Sequence, residues 1–131
     1  MSTLALVLVI LMALLHVYIL VLEMFLWTTP RGRRAFGTTA EFAVATKTLA
    51  ANQGLYNGFL AAGLAWGVIR GGIDGVEIDL FFLGCIFVAG IYGGLTASRK
   101  ILFIQAVPAA ITAGVLGYAT LTQAGIAGCL R

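Results

Sequence analysis

Residues 4–27, LALVLVILMALLHVYILVLEMFLW, hold a single charged side chain, Glu23. A stretch so long and apolar leaves one economical fold, a membrane-crossing helix, because about 20 such residues span the hydrocarbon core. It is read as a retained helix rather than a cleaved signal. No basic segment precedes it, no small-x-small cleavage pattern follows, and it outruns the roughly 7–15 apolar residues of a signal core. The rest of the chain agrees: 10% of its residues are charged, against roughly 25% in soluble proteins. The expected fold class is therefore an all-α membrane protein, a four-transmembrane-helix antiparallel bundle forming one domain over residues 1–131.

The spans are placed at about 4–27, 42–69, 80–97 and 101–121. Pro30 and Gly32 are expected to stop the first. Thr38 and Glu41, three apart, read as a capping box that opens the second helix, with the turns through Lys47 standing clear of the bilayer. The segment RGGIDGVEID reads as a Gly-rich acidic turn. Only SRK separates the last two spans, which makes them antiparallel neighbours, and Pro108 should kink the last one. Cys85 and Cys129 show neither metal-ligand spacing nor a disulfide framework.

The basic residues set the orientation. Arg31, Arg33, Arg34 and Lys47 flank the first loop and Arg99 and Lys100 the third, against Arg70 and Arg131 on the other side. Positive residues gather on the cytoplasmic face, so the loops carrying six of them are expected inside and both termini outside. That bias accounts for the net charge of +3, leaving no reason to expect a nucleic-acid partner.

The polar residues then fall at one depth. Glu23 lies one turn inside Trp27, Asn52 to Asn57 follow Lys47, Tyr92 lies two turns inside Arg99, and Gln105 is close to Lys100. All four spans thus bring polar groups into the cytoplasmic half, and the outer half is expected to be nearly featureless. His16, Glu23 and Trp27 share one helical face. Ionisable residues within spans are functional candidates by default, which singles out Glu23; His16 reads more simply as a helix-packing group. On the second helix Asn52 with Tyr56 and Gln53 with Asn57 make a polar strip beside the Gly54–Gly58 step, and Gly90 with Gly94 repeats that spacing on the third. Small residues let helices approach closely, and amides there serve as interhelical glue or as ligand contacts.

The segments HVYILVLEMFLWTTPRGRRAFG, TKTLAANQGLYNGFLAAGLAWG and GIYGGLTASRKILFIQAVPA resemble a family of small bacterial membrane proteins known only as a domain of unknown function, family thirteen-oh-four. The likeness covers nearly the whole chain and implies a four-span membrane protein with no established activity; the expected location is the bacterial inner membrane. LAANQGLYN is also similar, more distantly, to the second-helix signature of the membrane-associated eicosanoid and glutathione metabolism family, Arg-Ala-His-x-Asn-x-x-Glu-Asn. Gln53 falls on its first Asn, Tyr56 on its Glu and Asn57 on its second Asn, while Leu49 and Ala51 replace its Arg and His. That resemblance implies a homotrimer with sites between subunits and a glutathione or other thiol cofactor.

Two functions follow as expectations. The first is an enzyme or binder for a small lipophilic or thiol-linked substrate. Glu23 or Tyr92 would be acid or base, Asn52, Gln53, Tyr56 and Asn57 would orient the substrate, and Lys47 and Arg99 would hold an anionic group. The second is a small proton-coupled exporter using Glu23. A non-catalytic membrane subunit is the remaining alternative.

Overall fold

The computed structural model describes residues 1–129, which are almost entirely helical. In chain order they form α1 (Thr3–Met24), α2 (Pro30–Phe36), α3 (Ala40–Ala45), α4 (Lys47–Arg70), α5 (Gly72–Thr96), α6 (Arg99–Ile101), a π-helical segment Leu102–Ala106, and α7 (Val107–Cys129). Three stretches are long and apolar enough to cross a membrane: Thr3–Met24, Gly72–Thr96 and Arg99–Gln123. At 1.5 Å per residue α4 is also long enough, about 36 Å, but Lys47, Asn52, Gln53, Asn57 and Arg70 dilute its apolar content. Arg131 and the Cys129 side chain, both considered above, lie outside the described residues.

Two compact units divide the chain, one of Ala13–Ala62 and one of Met1–Met12 with Gly63 onward. In the first, Gly54 and Gly58 seat α4 on α1. A Cβ on Gly54 would lie 2.5 Å from Met24 Cγ and 3.1 Å from the Leu20 carbonyl oxygen, and one on Gly58 2.7 Å from Leu20 Cδ1. Rising numbers on one helix meet falling numbers on the other, so the pair is antiparallel.

Several boundaries differ from the sequence expectation. Pro30 and Gly32 start a helix rather than merely stopping one. Proline suits the first helical position because its missing N–H would be unpaired there anyway, and Thr29 caps the helix by accepting from Gly32 N at 3.2 Å. The next cap is Thr39, not Thr38: its hydroxyl accepts from Phe42 N at 3.2 Å, whereas the buried Thr38 Oγ1 has no hydrogen-bond partner. The second helix is not continuous. It breaks at Thr46, whose Oγ1 donates to Phe42 O at 2.7 Å and accepts from Trp27 Nε1 at 3.1 Å.

The second unit holds the tightest packing. Gly71 and Gly72 both have positive φ, 63° and 64°, and this left-handed pair confines the turn between α4 and α5 to a minimum. The acidic segment after it is helix, not turn. Gly90 sets α5 against the π-helical segment, where a Cβ would lie 2.6 Å from Ala106 N; Gly94 meets Leu102 one turn away, so the two helices run antiparallel as expected. Pro108 does not simply break its helix. The π segment lies just before it, with Val107 N reaching Leu102 O, so the ladder is re-spaced where the ring would collide with a regular turn.

A branched side chain at position 90 would have to displace backbone rather than a flexible tip. Gly90→Val is expected to lose about 1–3 kcal/mol or more, read as a lower Tm in detergent. Gly114→Ala, with open space around its Cβ, should be neutral or gain up to about 1 kcal/mol.

Candidate functional site

Glu23 stands at the last turn of α1 and Asn57 midway along α4, and the glycine seam brings them together. Asn57 Nδ2 donates to Glu23 Oε2 at 2.8 Å and also contacts the Gln53 carbonyl oxygen at 3.1 Å. Asn57 is 8% exposed and Glu23 half-buried. Gly54 lies one turn before Asn57, so the close approach that a side chain there would forbid is also what sets the length of this hydrogen bond.

The remaining strip residues turn the other way. Asn52 and Gln53 are exposed, and Tyr56 is 58% exposed with its ring tilted against Phe59 at 6.3 Å. The helix therefore offers one amide inward to Glu23 and two amides and a phenol outward. Lys47 is exposed at the first turn of α4. Trp27, beyond the end of α1, bonds Thr46 and packs on Phe36 at 4.9 Å, closing a layer over the helix ends. Arg31 folds back over the Tyr18 ring at 5.8 Å. His16 is fully buried.

Tyr92 and Arg99 belong to the other unit. Tyr92 is 70% exposed on α5, with its carbonyl oxygen accepting from Thr96 Oγ1 at 2.7 Å. Arg99 is exposed at the start of α6.

One polar residue escaped the sequence reading. Asp79 of α5 is fully buried, and neither carboxylate oxygen has a hydrogen-bond partner. The signal was the spacing of buried positions on α5, with Asp79 in register with Leu83, Ile86, Gly90 and Gly94. The glycines of RGGIDGVEID concealed it by suggesting a turn. Among the described residues no group of three or more His, Cys, Asp or Glu is placed to hold a metal ion.

The geometry permits binding and proton transfer. Glu23 accepts one hydrogen bond through Oε2, and the outward face of α4 offers several donors and acceptors within two turns. A double-mutant cycle with Glu23→Gln and Asn57→Ala should return a coupling energy of about 0.6–1.7 kcal/mol, the range for hydrogen bonds between membrane helices, read from unfolding in detergent. Asn52→Ala, on the outward side of α4, should leave that coupling energy unchanged within about 0.5 kcal/mol.

Comparison with known proteins gives a family and no activity. The chain is similar to the uncharacterized protein YpaA of Lactococcus lactis subsp. lactis (strain IL1403), at 33% identity over 107 residues, covering 80% of this chain and 89% of that protein. No solved structure matches. A model of the family described as Protein of unknown function (DUF1304) matches residues 10–117, a stretch that includes Glu23, the whole α4 strip and Asp79, and the chain belongs to that family.

Proposed function

We propose that this protein is a four-span homo-oligomer of the bacterial inner membrane, favoured as a trimer, that binds a small lipophilic or thiol-linked substrate along α4 and uses Glu23 as its acid–base group. The observation that carries the reading is the division of the α4 polar face, with Asn57 held inward by Glu23 while Asn52, Gln53 and Tyr56 face outward. If α4 is the fourth span, those outward amides meet hydrocarbon unless something covers them. An unsatisfied polar group there costs several kcal/mol, so a neighbouring subunit or a bound guest is needed.

Energetics also speak for more than packing. A charged carboxylate costs up to about 2.5–3.5 kcal/mol within a span, while an interhelical hydrogen bond returns about 0.6–1.7 kcal/mol. At the centre of a span the Asn57 contact alone would not offset a charged Glu23. The antiparallel pairings of α1 with α4, α4 with α5 and α5 with the π segment support an up-and-down bundle in the bilayer, with both termini outside by the distribution of basic residues. Lys47 stands at the inner end of the strip, where it would hold an anionic group. Glutathione is a candidate thiol by the resemblance of LAANQGLYN, and Tyr92 and Arg99 remain site candidates to be tested by Tyr92→Phe and Arg99→Ala.

Cysteine placed at position 56 in a chain freed of Cys85 and Cys129 should cross-link between copies in native membranes and, with a trifunctional reagent, reach the trimer. A clean monomer or dimer retires the trimer. Glutathione titrated into the purified protein should release heat that Asn52→Ala with Gln53→Ala abolishes. Equal heats in wild type and variant would remove α4 from the thiol site.

A further inference from the structure

Asp79 sits seven residues into α5, about 10 Å along the helix, in one of the three stretches apolar enough to span. It is fully buried, and both of its oxygens lack a hydrogen-bond partner. The facing residue on α4 is Gly67, where a Cβ would collide with Asp79 Oδ1; the absence of that side chain makes the seat. One turn before Asp79, Gly75 lies against the Gly67 carbonyl oxygen, and beyond it Phe82 lies against Gly63, so the helices are in contact on both sides of the carboxyl along their length.

Among the described residues of the α4–α5 hairpin no cation is placed to neutralise it. Between residues 63 and 96 the one basic side chain is Arg70. It is committed to Asp74 at 2.6 Å, and both members of that pair are more than half exposed. Glu77, also on α5, is exposed and of the same sign. Residues 2–12 and 107–123 contribute no charged side chain. A metal cation requires several oxygen ligands, whereas the Gly67 carbonyl oxygen already accepts from Gly71 N at 3.0 Å. A proton requires one oxygen.

We propose that Asp79 is a proton-binding site within the α4–α5 hairpin, occupied and neutral while Gly67 covers it and exchanging only when the two helices part. An ionised carboxylate without donors would bear its full desolvation cost, whereas the neutral acid bears only that of a polar group. Ionisable groups inside spans commonly mark proton pathways, and this site is separate from Glu23 and independent of the function proposed for it.

The chain has two aspartates, Asp74 and Asp79, which makes the test unambiguous. Protein labelled with [4-13C]aspartate is reconstituted in phosphatidylcholine liposomes at neutral pH and examined by infrared spectroscopy. A protonated-carboxyl C=O band that moves on labelling and persists in Asp74→Asn and Glu23→Gln is the expected result. Absence of any label-sensitive protonated band in wild-type protein overturns the proposal, with no variant needed to fold. In D2O the band should shift slowly, and Gly67→Ala should speed that exchange on the order of tenfold, since it opens the seat. An unchanged exchange rate in a folded Gly67→Ala protein would refute the gating by Gly67.

Discussion

Helix backbones approach within side-chain contact distance at Gly54 and Gly58 in one unit and at Gly67, Gly75 and Gly90 in the other, and the polar chemistry depends on that closeness. Apolar side chains gain nothing by leaving lipid for one another, so helices in a bilayer are held by close van der Waals fit and by hydrogen bonds across the gap. Both need short interaxial distances. Gly54 admits the α1 backbone near Met24, and one turn later a carboxamide reaches a carboxylate at 2.8 Å. A bulkier seam would leave Glu23 and Asn57 facing each other out of bonding range.

The same close fit produces opposite results at the two carboxyl groups. Glu23 lies at a helix end beneath the Trp27–Phe36 layer and has a donor. Asp79 lies against a glycine that has no side chain to donate, and Arg70, the basic residue of that hairpin, is occupied with Asp74. One carboxyl is held by a specific partner and the other is enclosed without one. Such a contrast separates the groups into two chemistries, a hydrogen-bonded acceptor and a sealed acid.

Much of this was legible in the residues. The glycine steps at 54–58 and 90–94 point to close contacts and form them, and of the three α4 amides at the level of Glu23 one, Asn57, meets it. Cap positions were harder, because Thr38 and Thr39 are equally good capping residues and the choice between them rests on where the chain leaves α2. Pro30 suggests an ending in the sequence, yet its missing N–H suits it to the beginning of α2. Asp79 was hidden because glycine usually signals a turn, and in this hairpin only Gly71 and Gly72 do so; Gly75 is helical because packing against α4 outweighs its weak propensity. Thr46 interrupts what periodicity alone presents as one helix, since a single side chain bonding Trp27 and Phe42 leaves no trace in hydrophobic pattern.

The widened turn at Leu102–Ala106 separates two jobs that a regular helix would lock together. Ala109, Thr112 and Leu116 form the buried row of α7, continued by Ala106 of the π segment, while Arg99 and Lys100 are exposed in α6 before it. Each residue of an α-helix advances about 100°, so the extra residue held in the widened turn rotates the basic pair relative to the buried row, while Leu102 against Gly94 and Ala106 against Gly90 pin the turn at both ends. The segment thus fixes a rotational offset: the basic pair points in a direction that a regular helix carrying the same buried row would not give it.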